Sequence, residues 1–298
     1  MKIKNQNPKD YFSIIFIFAL SCLLSFGIGF QMLTYHGLPV VFITMLLSFL
    51  LHWIAFIPAY FFKTEKFYDI LGTIAYLSVT GLAVFFTTYL SQEKLHLRSI
   101  FVASLIIIWA LRLGIFLLIR VLKNGEDRRF REPMQSFSKF LLWWSMSAFW
   151  VFLTTLNAIT MLINNMDSNF DAFFIVGLIL WISGFIIELV SDEQKRKFKL
   201  NPENDGNFIS SGLWSFSRHP NYFGEIVLWI GIAVMSIPTL EGMQFLSLIS
   251  PIFIYFLLTN ISGVNLLEER ADNKWGKQMD YQDYKRKTPI LNPFRRTN

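Results

Sequence analysis

Long apolar segments alternate with short polar ones along almost the whole chain. Eight of these segments have the roughly 20 residues that a helix needs to cross the hydrocarbon core of a membrane. They cover residues 11–31, 39–62, 68–90, 99–119, 140–163, 171–190, 220–238 and 244–264. Each is a continuous apolar run without the period-two alternation of a barrel strand, so the pattern favours helices. The sequence therefore predicts an all-α, polytopic transmembrane helical bundle of about eight spans, with seven as the alternative count.

The composition is consistent with lipid as the main solvent. Of the 298 residues, 53% are hydrophobic and only 16% are charged, whereas a soluble domain carries roughly 25% charged residues. The first apolar run is too long for a signal peptide and is not followed by a cleavage site, so it should remain in the mature protein. The chain shows no internal repeat and no separate soluble segment. We expect a single integral membrane domain over residues 1–298.

Lysine and arginine are distributed unevenly between alternate loops. The N-terminus and the loops after the second, fourth and sixth spans hold three, two, six and five of them, and the tail holds eight. The loop after the third span holds Lys94 and Arg98, and the other loops hold none. Because cytoplasmic loops carry the excess of basic residues, both termini should be cytoplasmic. This agrees with an even number of spans.

The rarer residue types exclude several kinds of site. Cys22 is the only cysteine, so an intramolecular disulfide and a thiolate metal cluster are excluded. The four histidines are scattered without an HxxxH pair, which argues against a histidine metal site. The net charge of +6 is not arranged as a basic stripe on a soluble module, so nucleic acid is not an expected partner.

The densest polar cluster is the segment GLWSFSRHPNYFGE, which leads into the seventh span. Proline suits the first position of a helix, so a helix should begin at Pro220 with His219 at its N-cap. The free amide groups and positive dipole end of this helix, beside Arg218, would suit a phosphate or another anion. Asn221 and Glu225 share one face of the helix, and a carboxylate at that depth should avoid lipid. A ligand site is the preferred interpretation, and a structural flank of the span is the alternative.

Two further groups of charges border the same side of the membrane. Glu188 and Asp192, at the end of the sixth span, are followed by Lys195 and Lys199, so one helical stripe changes from acidic to basic. An ordinary interfacial flank is the alternative for this stripe. The tail over residues 268–289 mixes charges with aromatic residues, and we expect it to fold over the cytosolic mouth of the bundle. The alternative is a polybasic segment held on anionic lipid.

Arg112 lies inside the fourth span, where a charge needs a partner or must reach the interface. Asp69, at the cytosolic start of the third span, is its candidate partner. The pair has either a structural or a catalytic role, and the structural role is favoured.

In these residues the chain resembles bacterial multi-pass membrane proteins of the DUF1295 group, which are related to steroid 5-alpha-reductases and sterol C14 reductases. The resemblance covers roughly residues 60–298. It rests on KFYDILG, on ALRLGIFLLIR followed by NGEDRRF, on GLWSFSRHPNYFGEIVLWIG, and on SGVNLLEERADNKWG with YQDYKRKTP. Residues 1–61 would then add two N-terminal spans to a reductase-like core over residues 62–298.

The resemblance implies a bundle, in a bacterial inner membrane, whose cytosolic half binds NADPH. It further implies reduction of a carbon–carbon double bond conjugated to a carbonyl in a lipid-like or steroid-like substrate, an apolar small molecule that enters from the lipid bilayer. The motifs place these residues in the cofactor pocket: Arg218, His219, Asn221, Tyr222, Glu225, Glu188, Asp192, Lys199, Tyr284 and Lys285. At one of these positions, Glu188, the steroid reductases carry asparagine. Tyr68, Asp69 and Tyr76 are the candidates for contact with the substrate carbonyl or for proton donation.

Two other functions stay open at the level of sequence. The RHPxYxG pattern also occurs in isoprenylcysteine and phospholipid methyltransferases, which use S-adenosylmethionine. Glu225 favours a reductase, because those methyltransferases commonly carry an apolar or aromatic residue after the corresponding glycine. The third possibility is a lipid-binding or scaffolding protein without catalytic activity.

Overall fold

The computed structural model describes residues 6–124, 127–166, 170–261 and 263–294, without the side chains of residues 123, 124 and 128. Its helices are α1 (Pro8–Gly29), α2 (Val40–Phe62), α3 (Tyr68–Ser91), α4 (Leu97–Asn124), α5 (Phe137–Asn164), α6 (Ala172–Leu200), α7 (Pro220–Ser236), α8 (Ile249–Phe256), α9 (Val264–Trp275) and α10 (Met279–Lys287). Two short antiparallel strands, β1 (Thr34–Tyr35) and β2 (Leu38–Pro39), connect α1 to α2. Within these described ranges, eight segments are helical, long and apolar enough to cross a membrane. The predicted all-α, multi-spanning class is confirmed.

The eighth apolar segment is less regular than the sequence predicts. A 3-10 turn over Gly242–Leu248 precedes α8, and a π-helical turn over Leu257–Ile261 follows it. The chain then passes Gly263, where a Cβ atom would lie 2.1 Å from the carbonyl oxygen of Leu258. Only glycine allows this close approach, so Gly263 is required between the π-helical turn and the start of α9.

Contacts between residues divide the chain into two compact units. The first comprises Met1–Asp171 and Ser236–Ser250, and the second comprises Ala172–Met235 and Pro251–Asn298. In the first unit α5 is the central helix and packs against α1, α2, α3 and α4. Its residues 151–163 are all buried, which explains why this span is apolar around its whole circumference.

Candidate functional site

Two pairs of glycines bring α6 and α7 of the second unit into backbone contact. A Cβ atom on Gly184 would lie 2.5 Å from the carbonyl oxygen of Gly224, and one on Gly231 would lie 2.5 Å from that of Gly177. The glycines of each helix are seven residues apart, close to two helical turns, so all four lie in one seam of this antiparallel pair. The seam holds the first turns of α7 against the C-terminal half of α6.

Three carboxylates are buried beside this seam, Glu188 and Asp192 on α6 and Glu225 on α7. Glu225 is 7% exposed, as expected for a carboxylate that avoids lipid. The side-chain amide of Asn221 donates to Asp192 Oδ1 at 3.3 Å. The start of α7 is therefore tied to α6 by a polar contact as well as by the glycine seam.

The segment that precedes α7 is anchored on α6. The backbone N–H of Leu213 donates to Gln194 Oε1 at 2.9 Å. The indole N–H of Trp214 donates to the carbonyl of Ser191 at 3.1 Å, and Lys195 Nζ lies 4.3 Å from the centroid of this indole ring. These contacts fix the direction in which the chain enters α7.

Helix α7 begins at Pro220, as predicted. The carbonyl of His219 accepts the N–H of Phe223 at 3.1 Å, so His219 occupies the N-cap position. The imidazole of His219 stacks on the ring of Tyr222, with centroids 5.7 Å apart and an interplanar angle of 12°. The RHP motif thus sets both the start of the helix and the orientation of the histidine ring.

The side chains of Arg218 and His219 share one carboxylate, that of Glu268 on α9. Arg218 Nη1 pairs with Glu268 Oε2, and His219 Nε2 lies 2.8 Å from Oε1. Lys285 Nζ lies 3.6 Å from the same carboxylate and 2.6 Å from Asp272 Oδ1. In the structure an internal carboxylate occupies the contact with Arg218 where the sequence interpretation expected an external anion. Glu268 was not among the sequence candidates, because only the fold of the tail brings it to the RHP motif.

Two polar atoms of this cluster, Arg218 Nε and His219 Nδ1, are buried without a hydrogen-bond partner in the described part of the chain. Because His219 Nε2 faces a carboxylate, it carries the ring proton and Nδ1 presents a lone pair. Burial lowers the pKa of His219, although the hydrogen bond and charge of Glu268 act in the opposite direction. The cluster therefore offers one donor and one acceptor to a polar ligand.

The C-terminal tail packs against the same segment. The backbone N–H of Arg218 donates to the carbonyl of Pro289 at 2.9 Å, and the hydroxyl of Tyr284 donates to the carbonyl of Trp214 at 2.6 Å. Burial raises the pKa of Tyr284, so its hydroxyl stays protonated at neutral pH. The tail is thus folded against the segment that precedes α7. Among the candidate cofactor residues, Lys199 stands on an exposed turn of α6.

Tyr68, Asp69 and Tyr76, the candidates for substrate chemistry, belong to α3 in the first unit. The hydroxyl of Tyr68 donates to the carbonyl of Trp143 at 3.0 Å. Tyr76 is buried, with its ring edge-on to Trp109 at 5.0 Å between centroids.

Asp69 contacts Arg120 and Arg129, whereas the sequence interpretation proposed Arg112 as its partner. Its carboxylate oxygens lie 3.5 Å from Arg120 Nη2 and 3.6 Å from Arg129 Nη2. The guanidinium of Arg129 also makes a bidentate contact with Asp127. Burial raises the pKa of Asp127, but the hydrogen bonds and charge of Arg129 outweigh it, so the pKa lies below its usual range. This network supports a structural role for Asp69. Two residues of the NGEDRRF motif, at positions 125 and 126, lie outside the described residues.

Comparison with known proteins gives a family and several partial relatives. Residues 55–288 match the family described as a protein of unknown function, DUF1295. The chain is 29% identical over 121 residues to 3-oxo-5-alpha-steroid 4-dehydrogenase 1 of Rattus norvegicus, which is 41% of each protein. It is 35% identical over 65 residues to steroid 5-alpha-reductase DET2 of Arabidopsis thaliana, 21% of this chain and 24% of that protein.

A shorter similarity points to a different class of enzyme. The chain is 35% identical over 68 residues to the probable O-methyltransferase ustE of Ustilaginoidea virens, which is 23% of this chain and 24% of that protein. The matches thus span less than half the length of these relatives. No solved structure matches the chain.

Proposed function

The chain belongs to the DUF1295 family, and from this premise we propose that it is a membrane reductase that uses NADPH. Its substrate is a lipid-like or steroid-like molecule with a carbon–carbon double bond conjugated to a carbonyl. The observation that carries the proposal is the Arg218–His219–Glu268 cluster at the entry of α7. The similarity to 3-oxo-5-alpha-steroid 4-dehydrogenase 1 and to DET2 supports the choice of reaction.

The residues of the cluster suit an anionic nucleotide. Arg218 and Lys285 supply positive charge, and both contact Glu268. A phosphate would replace this carboxylate at the guanidinium, which binds phosphate well because of its planar array of donors. The free Nδ1 of His219 would accept a hydrogen bond from a hydroxyl or amide of the ligand. Asn221 and Glu225 would then orient the nicotinamide end.

When bound, NADPH would supply a hydride for the β carbon of the double bond, and the α carbon would take up a proton. The sequence candidates for the donor of this proton are Tyr68, Asp69 and Tyr76. The hydroxyl of Tyr68 already donates to Trp143, and Asp69 is engaged by two arginines.

Binding tests the proposal most directly. We expect NADPH to raise the melting temperature of the detergent-purified protein, because a ligand specific for the folded state stabilises it. Arg218→Ala should abolish this shift, whereas Arg196→Ala, which removes an exposed arginine on α6, should preserve it. Consumption of NADPH with a 3-oxo-4-ene steroid as the probe then tests the reaction. Equal shifts in wild type and Arg218→Ala, or no shift in either, would contradict the proposal.

The similarity to an O-methyltransferase makes S-adenosylmethionine the competitor to include. The two ligands differ in charge, because NADPH carries several phosphate charges and S-adenosylmethionine carries none. We expect NADPH, and not S-adenosylmethionine, to stabilise the protein and to lose its effect at high salt. Stabilisation by S-adenosylmethionine alone would transfer the assignment to the methyltransferase class.

A further inference from the structure

Among the aromatic side chains whose buried ring nitrogen has no hydrogen-bond partner within the described residues, two lie on the adjacent helices α2 and α5 at matching positions. They are His52 on α2, through Nε2, and Trp144 on α5, through Nε1. Both side chains are fully buried within membrane-spanning helices. A buried polar atom without a hydrogen-bond partner destabilises the folded state. The two atoms therefore indicate a hydrogen-bond partner other than the described residues.

The packing of α2 on α5 places the two rings at the same depth. The hydroxyl of Ser48 on α2 donates to the carbonyl of Ala148 on α5 at 2.9 Å. Two turns further along α2, the ring of Phe56 lies 5.6 Å from that of Phe140. The helices run antiparallel, so a residue four positions after Ser48 on α2 lies at the level of the residue four positions before Ala148 on α5. These two residues are His52 and Trp144, and they lie midway between the two observed contacts.

The hydrogen-bonding roles of the two nitrogens are defined. His52 Nδ1 lies 2.8 Å from the carbonyl oxygen of Ser48, which can only accept, so Nδ1 carries the proton. A charged imidazole at this depth would be costly, so Nε2 presents a lone pair. The indole Nε1 of Trp144 can only donate. A hydroxyl oxygen satisfies both at once, whereas a carbonyl, an ether or an ammonium group satisfies only one.

We propose that His52 and Trp144 form an intramembrane binding site for one hydroxyl group, which donates to His52 Nε2 and accepts from Trp144 Nε1. His52 lies ten residues from the end of α2 at Phe62, which is about 15 Å along a helix. That is near the middle of a hydrocarbon core roughly 30 Å thick. The hydroxyl belongs either to an internal water or to an apolar alcohol that reaches the site from the lipid.

The nitrogen-15 resonances of the His52 ring report on this site. The combined variant His36→Gln, His96→Gln and His219→Gln leaves His52 as the sole histidine without altering the site. We expect a neutral ring, protonated at Nδ1, whose Nε2 accepts a hydrogen bond. If the hydroxyl is water, this signature is present without added alcohol and does not change with farnesol. If it is an alcohol, the signature appears with farnesol and not with farnesyl methyl ether, which lacks the donor.

The variant Trp144→Phe in the same background separates a bridging hydroxyl from a direct bond between the rings. A bridging hydroxyl still donates to His52 Nε2, so the acceptor signature shifts but persists. Trp143→Phe, a change at the neighbouring residue, serves as the control and should leave the signal unchanged. The proposal is overturned if Nε2 is unbonded under all conditions, if both ring nitrogens are protonated, or if Trp144→Phe abolishes the acceptor signature.

Discussion

At the scale of single residues, the central feature is the carboxylate of Glu268 between Arg218 and His219. All three side chains are largely buried, with the arginine at 10% exposure and the glutamate at 17%. A buried guanidinium without a counter-charge is strongly destabilising, so the carboxylate keeps the cluster stable before a ligand binds. An incoming phosphate then exchanges one negative partner of Arg218 for another.

Replacing this carboxylate should therefore lower stability. We expect Glu268→Gln to reduce the free energy of unfolding by about 3 kcal/mol, because Arg218 would stay buried without its charge partner. Glu269→Gln removes the same charge from an exposed neighbour on α9 and should change stability by less than about 0.5 kcal/mol. Thermal melting in detergent compares the two variants. Similar melting temperatures would show that Glu268 does not compensate Arg218.

The same cluster makes stability depend on pH. Folding lowers the pKa of His219 through burial, against the opposing effect of Glu268, while the charges of Lys195 and Arg218 also lower it. On acidification the unfolded chain thus takes up this proton first, near its ordinary pKa of about 6.5. The stabilisation is complete above that pH and is lost as the pH falls through the folded pKa. We expect the melting temperature to fall more steeply between about pH 7 and pH 5 in wild type than in His219→Gln. Parallel profiles would exclude His219 as the titrating group.

At the scale of elements, the glycine seam between α6 and α7 determines where the buried carboxylates lie. We expect Gly184→Ala to destabilise the protein by about 1–3 kcal/mol, because its Cβ would meet the backbone of α7 at 2.5 Å. Gly81→Ala in α3 is the matched control, since a Cβ there has no neighbour within 4 Å. It should be neutral or slightly stabilising. Equal melting temperatures for the two variants would argue against close packing at the seam.

The sequence predicted the starts of the helices better than their ends. Pro220 starts α7 as predicted, because proline at the first helical position is a local signal. Helix α6 extends to Leu200, ten residues past the predicted apolar run. Its charged continuation is rich in glutamate, lysine and arginine, which favour helix outside the membrane as well. The π-helical turn near Leu257 has no local sequence signal, because it depends on packing.

At the scale of the whole molecule, the apolar pattern was sufficient to predict the fold class, and the RHP motif was sufficient to predict the start of α7 and to name Arg218, His219 and Asn221 as candidate site residues. The motif did not predict the partners of these residues. Glu268 lies 49 residues from His219, and Arg129 lies 60 residues from Asp69. Such pairs depend on how the helices and the tail fold, and a single sequence carries no record of that packing.

The distribution of basic residues between the loops predicts the membrane topology of the whole chain, which the side-chain contacts do not determine. Loops after the second and sixth spans carry lysine and arginine, and the loops after the third and seventh carry few or none. Because basic loops stay in the cytoplasm, a cysteine at Lys66 or Glu203 should react with a membrane-impermeant maleimide only in inside-out vesicles. A cysteine at Glu93 or Glu241 should react only from the outer face. All four positions are exposed, and a Cys22→Ser background removes the native thiol. Labelling of Lys66→Cys and Glu93→Cys from the same side would show that α3 does not cross the membrane, and would exclude the eight-span topology in which both termini are cytoplasmic.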